Sequence, residues 1–198
     1  MLIYKIINIF MVLLIIQKCS TKPLEDYNRY ITAKEELFNY VFDNIRIMGE
    51  KYIETIVDLS HQIQKDESLE LHNEADILEF KQNINNYIES YNMNSPFEVI
   101  LYKTKHFVES ILYYFQLTDE QLTSEFKFIV ELLEKYKYQE LEEECKNNIK
   151  IFIDGFKMKF EENKDYLDKP LLEWYERFSN IEEEGEQLMD LRKLAEYI

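Results

Sequence analysis

The residues best suited to acid–base or metal chemistry are three histidines, His61, His72 and His106. They lie far apart in the sequence, and only His106 has a carboxylate at helical spacing, in the pattern His106-x-x-Glu109. A zinc site needs a third or fourth protein ligand, which two residues on one helical face do not supply. The sequence also has no His-Glu-x-x-His helix, no serine nucleophile elbow and no glycine-rich phosphate loop. We therefore predict that the protein is not an enzyme and uses neither a metal nor a cofactor.

Cysteine and carboxylate side chains lead to the same expectation. Cys145 lies four residues after Leu141 and four before Ile149, on an apolar helical stripe. A cysteine at such a position is typical of a small buried hydrophobic residue rather than of a nucleophile. The glutamate runs 142–144 and 182–184 place consecutive side chains about 100° apart around a helix, so they do not converge on one ion. These runs predict solvated helix faces.

The apolar side chains are the other feature of the sequence that could serve a function. Bulky aliphatic and aromatic residues recur at helical spacing in several segments, and aromatic residues make up 15% of the chain. Such stripes usually pack into a solid core, but they also line pockets for apolar ligands between helices. The sequence leaves both options open.

The elements that must position these stripes are helices. Only three glycines and three prolines occur in 198 residues, which is too few turn formers for a β-rich fold. No linker rich in glycine, proline or serine divides the chain. We therefore expect an all-α fold, a single compact domain of about eight helices, with an internal apolar cavity as one option.

Capping boxes predict three helix starts, because a Ser or Thr side chain and a Glu or Gln three residues later can satisfy early backbone N–H groups. They are Thr32-Ala-Lys-Glu35, Ser95-Pro-Phe-Glu98 and Thr118-Asp-Glu-Gln121. The first predicted helix ends at Gly49, and a second covers residues 53–63. The apolar spacing predicts further helices over 75–91, over 141–160, from Pro170 and over 188–198.

The amino terminus resembles a secretion signal. Lys5 precedes an apolar run over residues 6–16, which is about half the length that a membrane-spanning helix needs. We expect residues 1–20 to be a cleaved signal peptide and residues 21–198 to form the helical domain of a secreted, extracellular protein. No second apolar segment follows, so no stable membrane insertion is expected.

Charge narrows the range of partners. The chain carries 23 basic and 39 acidic residues, a formal net charge of −16. Such a field repels phosphate backbones and anionic membrane surfaces, so nucleic acid is not an expected partner. A basic protein that docks on the acidic surface is compatible with it.

Four segments, in chain order, carry a resemblance to a known family. They are Tyr27-Asn-Arg-Tyr-Ile31 with Lys34-Glu-Glu-Leu37; Leu69-Glu-Leu-His-Asn-Glu-Ala75 with Leu78; Phe128-Ile-Val-Glu-Leu-Leu-Glu-Lys-Tyr-Lys137 with Leu141, Glu142-Glu143, Lys146 and Lys150 to Phe152; and Asp190-Leu-Arg-Lys-Leu-Ala-Glu-Tyr-Ile198. Together they are similar to the nematode fatty acid and retinol binding protein family. The chain departs from that family in its low alanine content, its many tyrosines and phenylalanines, Cys145, and the lack of a proline after Phe152.

The resemblance implies a helical carrier that holds a fatty acid, retinol or a related apolar ligand without covalent chemistry. The expected ligand-binding residues are Phe97, Leu101, Val108, Phe126, Ile129, Leu133, Phe152 and Phe156. A ligand carboxylate would need a cationic partner, for which Lys81, Lys103, Lys105 and Arg46 are the candidates. The alternative is a secreted interaction protein or effector with a solid helical core that acts through its acidic surface.

Overall fold

The structure, a computed structural model, describes residues 28–91 and 95–197. It confirms the all-α prediction, with eight α-helices and two 3₁₀ helices among the described residues. The α-helices are α1 (Asn28–Gln64), α2 (Glu67–Glu70), α3 (Ala75–Ser90), α4 (Phe97–Phe115), α5 (Ser124–Lys135), α6 (Tyr138–Asn163), α7 (Lys169–Ser179) and α8 (Glu184–Asp190). The 3₁₀ helices are Lys164–Tyr166 and Leu191–Glu196. The predicted signal peptide, residues 1–20, lies outside the described residues.

Within the predicted domain of residues 21–198, the described helices group into two compact units. The terminal unit comprises the described residues of 28–49 and 144–197, and the central unit comprises those of 50–91 and 95–143. The boundaries fall inside α1 and α6, so each of these helices contributes residues to both units.

Helix α1 corrects the prediction that a first helix ends at Gly49. The helix continues to Gln64 and includes the predicted second helix over 53–63. Glycine in a helix interior costs about 1 kcal/mol relative to alanine. The buried face continues on both sides of Gly49, through Ile45 before it and Ile53 and Ile56 after it. Burying each such side chain contributes about 1.5–3 kcal/mol, which outweighs the cost of one glycine.

The three predicted capping boxes do not cap helices as expected. Thr32 lies inside α1, and α4 begins at Phe97 with Pro96 as its N-cap and no side-chain cap. Gln121 Oε1 does accept hydrogen bonds from the backbone N–H and the hydroxyl of Thr118, at 3.0 and 3.2 Å. These bonds close an isolated turn, and α5 starts only after the Thr123 N-cap, whose hydroxyl accepts from Phe126 N. Local capping chemistry thus favoured a turn at this point without extending it into a helix.

The terminal unit has an aromatic core. Phe156, Phe160, Trp174 and Phe178 are each at most 1% exposed, and their rings lie 5.2–6.4 Å apart in the contacts that Trp174 and Phe156 make with the others. The indole N–H of Trp174 donates to Asp190 at 2.8 Å, so the ring is buried without an unpaired donor. Helices α6 and α7 are thereby joined through their apolar faces.

A polar link ties three segments of the terminal unit together. The ammonium group of Lys34, a residue only 9% exposed, donates to Asp168 Oδ2 at 3.0 Å and also to the carbonyl oxygen of Tyr197. Asp168 is itself the N-cap of α7, because its Oδ1 accepts from Leu171 N at 3.0 Å. The predicted helix start at Pro170 is confirmed, with Pro170 in the first turn.

A close approach of α1 to α6 in the terminal unit explains Gly155. A Cβ at this position would lie 2.1 Å from the hydroxyl oxygen of Tyr40, whose ring stacks on Phe152 at 6.0 Å. We expect Gly155→Ala to destabilise the protein by about 1–3 kcal/mol, because the added methyl group must displace the Tyr40 side chain. In a Tyr40→Phe background the same change should cost at least about 1 kcal/mol less, since the clashing oxygen is gone and alanine favours the helix.

Urea unfolding of the four proteins, followed by circular dichroism, measures both costs. Equal costs of Gly155→Ala in the two backgrounds would show that the Tyr40 hydroxyl does not determine the choice of glycine.

Candidate functional site

The candidate site is a groove of about 280 Å³ in the central unit. It lies between α3 and α4, and each helix contributes residues at positions i, i+3, i+4 and i+7, which share one helical face. The lining residues are Asn83, Asn86, Tyr87 and Ser90 from α3, and Lys103, His106, Phe107 and Ser110 from α4. Tyr87 contacts Phe107 while Ser90 contacts Lys103, so the two helices run in opposite directions. We call this site the α3–α4 groove.

The floor of the α3–α4 groove is a pair of stacked aromatic rings. The rings of Tyr87 and Phe107 are parallel within 1°, with centroids 4.3 Å apart, and both residues are buried. The Thr104 hydroxyl donates to the carbonyl oxygen of Ile100 at 2.9 Å, so the Tyr87 hydroxyl is the donor in its 3.0 Å bond to Thr104. Burial raises the pKa of Tyr87, which keeps this donor protonated. The floor is therefore aromatic and held in place by the ring stacking and the Tyr87–Thr104 hydrogen bond.

The rim of the groove combines hydroxyl groups with one ammonium group. Ser90 and Ser110 each donate to a backbone carbonyl oxygen of their own helix, at 2.8 and 2.7 Å. The Lys103 ammonium group donates to the carbonyl oxygen of Ser90 at 3.3 Å, a long bond that uses one of its three donors. Lys103 therefore has donors available for a ligand at one end of the groove.

The charge of the α3–α4 groove differs from that of the whole chain. The sequence has 39 acidic residues, yet none of the eight residues that line the groove is an aspartate or a glutamate. Lys103 brings a positive charge, and His106 lies beside Glu109 with 3.0 Å between Nδ1 and Oε2. An apolar floor with a cation at its edge suits a ligand that has an apolar body and an anionic group.

Only one of the four cations predicted as carboxylate partners lines the α3–α4 groove. That residue is Lys103, whereas Lys81 lines a different pocket and donates to the carbonyl oxygen of His72 at 2.7 Å. Arg46 belongs to the terminal unit, and Lys105 is on α4 but does not line the groove. Of the four cations that the sequence offered, the structure thus places only Lys103 at the α3–α4 groove.

The eight predicted ligand-binding residues are divided between the two units. The central unit holds Phe97, Leu101, Val108, Phe126, Ile129 and Leu133, and the terminal unit holds Phe152 and Phe156. Six of the eight are at most 3% exposed, while Phe97 and Phe126 are partly exposed. None of the eight lines the α3–α4 groove.

No protein-family model, curated protein or solved structure matches this chain. Within the described residues, no three or more His, Cys, Asp or Glu side chains are arranged to hold a metal ion. None of the described helices is long and apolar enough to cross a membrane. The function must therefore be inferred from the residues of this chain.

Sequence reasoning identified parts of the groove for other reasons. It predicted a helix over 75–91, which includes the α3 residues of the groove, and it singled out Lys103 among the cations and His106 beside Glu109. It missed the polar partners Asn83, Asn86, Ser90 and Ser110. The available signal was the shared spacing, since α3 and α4 each carry an aromatic residue at i+4 and a serine at i+7 of the groove face.

Proposed function

We propose that this protein is a secreted carrier of a small apolar acid, such as a fatty acid or a retinoid, and that it binds this ligand in the α3–α4 groove. The observation that carries the proposal is the pairing of an aromatic floor, Tyr87 and Phe107, with a lining that contains Lys103 and no aspartate or glutamate. The resemblance to the nematode fatty acid and retinol binding protein family points in the same direction. Secretion rests on the signal sequence expected over residues 1–20.

Binding would use both parts of the groove. Each buried methylene of the ligand contributes about 0.8 kcal/mol, and the ring pair offers an apolar surface for an alkyl chain or a conjugated polyene. The ligand carboxylate would accept a charge-assisted hydrogen bond from the Lys103 ammonium group. The volume of about 280 Å³ lies near the lower end of the range for small-molecule pockets, about 300–1,000 Å³. A short or medium-length apolar acid therefore fits within the groove, whereas a long acyl chain or a retinoid would extend beyond it.

Displacement of a fluorescent fatty acid from the full chain, delipidated by unfolding and refolding, tests the proposal. We expect saturable binding of the acid with a Kd of about 1 µM, and about 10–100-fold weaker binding by Lys103→Met, because a hydrogen bond to a charged group is lost. Retinol, which has no carboxylate, should be affected much less by this change. Asn86→Trp should weaken both ligands, since the exposed Asn86 lies at the groove and an indole would occupy it.

The matched control is Lys105→Met, which removes a lysine of the same helix that does not line the groove. It should leave the affinity unchanged, and circular dichroism should show that all variants remain helical. Absence of saturable binding at micromolar concentrations would rule out the carrier. Binding that neither Lys103→Met nor Asn86→Trp weakens would place the ligand outside the groove.

The second candidate function is that of an interaction protein that recognises a basic partner. It is favoured by the excess of 39 acidic over 23 basic residues. A carrier should bind the apolar acid at high salt, because burial of apolar surface drives binding, whereas docking of a basic protein should weaken steeply as salt screens the charges.

A further inference from the structure

A second, smaller pocket lies elsewhere in the central unit. It has a volume of about 140 Å³ and is lined by residues of α1, α2 and α3, which are Gln64, Leu69, Glu70, Lys81, Ile84 and Asn85. Leu69 and Ile84 are at most 4% exposed and form an apolar base. The volume corresponds to about four or five water molecules at liquid density, so the pocket suits a compact ligand. We call it the Lys81 pocket.

The Lys81 pocket presents two opposite charges that do not neutralise each other. Glu70 and Lys81 both line it, yet no ion pair within 4.0 Å in the described part of the chain includes either residue. The Lys81 ammonium group donates to the carbonyl oxygen of His72 at 2.7 Å, which leaves two of its three donors for other partners. One carboxylate and one ammonium group therefore face the same small space.

The walls of the pocket are held in place by contacts outside it. Before α2, the buried carboxylate of Asp66 accepts from Ser68 N at 2.9 Å and from the Tyr136 hydroxyl at 2.8 Å. After α2, the ring of His72 packs on Phe128 with centroids 4.1 Å apart. Both contacts anchor the segment that carries Glu70 to the α5 region, so binding would require little ordering of this wall.

The polar groups of the pocket include two side-chain amides that are hydrogen-bonded to each other. Gln64 Nε2 donates to Asn85 Oδ1 at 2.7 Å, which joins the end of α1 to α3. This bond leaves Gln64 Oε1 and Asn85 Nδ2 as an acceptor and a donor. The pocket thus combines a cation, an anion, two amides and an apolar base.

We infer that the Lys81 pocket binds a small zwitterionic amino acid with an aliphatic side chain. Its carboxylate would accept from Lys81, its ammonium group would donate to Glu70, and its side chain would contact Leu69 and Ile84. A simple anion would gain the contact with Lys81 but would face the like charge of Glu70. A simple amine would gain the contact with Glu70 but would face the like charge of Lys81. Only a molecule with both charges therefore pairs with both residues.

Isothermal titration of the full chain with three matched probes tests this inference. The probes are L-valine, isovalerate, which lacks the ammonium group, and isobutylamine, which lacks the carboxylate. We expect saturable binding of valine with a Kd of about 1 mM or tighter, and about 10–100-fold weaker binding of the other two. Equal binding of all three probes, or no saturation by valine, would overturn the inference.

Glu70→Gln sharpens the test, because Glu70 is exposed and the change should not unfold the chain. It should weaken valine about 10–100-fold while isovalerate binds no worse than before. Glu67→Gln, on the same short helix but outside the pocket, is the matched control and should have no effect on valine. Lys103→Met should likewise leave valine binding intact, which separates this pocket from the α3–α4 groove. Unchanged valine binding by Glu70→Gln contradicts the assigned role of Glu70.

Discussion

Replacing Phe156 with alanine is expected to lower the free energy of unfolding by about 3–5 kcal/mol. Phe156 is fully buried, and its ring lies 5.4 Å from that of Phe178, 6.1 Å from Phe160 and 6.2 Å from Trp174. Truncation removes apolar burial and leaves a cavity that these rigid rings fill poorly. Because domains are stable by only about 5–15 kcal/mol, this one change should remove a large share of the stability.

Urea unfolding followed by both circular dichroism and fluorescence measures this loss. Trp174 is the single tryptophan of the chain, so its emission reports on the terminal unit in which Phe156 lies. Ile151→Ala is the matched control, since Ile151 is on the same helix but 69% exposed, and it should change stability by less than about 0.5 kcal/mol. A loss below about 1 kcal/mol for Phe156→Ala would show that the aromatic core is not tightly packed around this residue.

Replacing Asp66 with asparagine is expected to cost about 1.5–3 kcal/mol at neutral pH. The Asp66 side chain is only 3% exposed and pairs with the Lys135 ammonium group, while it also accepts from the Ser68 hydroxyl at 2.6 Å and from Tyr136. Asparagine retains an oxygen that can accept the N-cap hydrogen bond of α2. It loses the negative charge and the second oxygen, which accepts from Lys135 and Tyr136. The loss therefore measures the contacts of Asp66 with Lys135 and Tyr136 separately from the capping function.

The contribution of Asp66 should depend on pH in a defined direction. Hydrogen bonds from Lys135 and then from Ser68 hold the pKa of Asp66 well below its ordinary value. The unfolded chain consequently takes up a proton on Asp66 at a higher pH than the folded chain does. The stabilisation is complete at neutral pH, begins to decline near the unfolded pKa of about 4, and continues to fall toward the lower folded value.

Urea unfolding of the parent chain and Asp66→Asn between about pH 7 and pH 3 checks this prediction. The difference in unfolding free energy between the two proteins should be largest at neutral pH and should shrink in acid. Asp58→Asn, at an exposed position of α1, is the matched control and should show a small difference throughout. A pH-independent difference for Asp66→Asn would mean that shape rather than charge accounts for its effect.

The residues of the candidate site could be predicted only in part from the sequence. Lys103 was one of four cations that could meet a carboxylate, and nothing in the spacing separated it from Lys105, two residues away. Tyr87 and Phe107 lie in two segments with apolar helical spacing, but their stacking depends on the offset of α3 along α4. That offset is set by the packing of whole helix faces, which one stripe of residues does not encode by itself.

The ends of the helices could also be predicted only in part from the sequence. Gly49 and the capping boxes are local signals worth about 1 kcal/mol each, and a continuous buried face or a competing turn overrides them. Gly155, in contrast, lies in a helix interior where glycine is intrinsically unfavourable, and only the structure shows that the Tyr40 hydroxyl occupies the space of a side chain there.

The apolar periodicity and the scarcity of glycine and proline were sufficient to determine that this chain is helical, because burial of one face stabilises each helix whatever its partner is. Only the tertiary structure determined which side chains of different helices lie next to each other. It brought Lys103 to an aromatic floor formed by two helices and placed Glu70 and Lys81 around one pocket without an ion pair. These sites are built from residues of different helices, so their geometry exists only once the helices have packed.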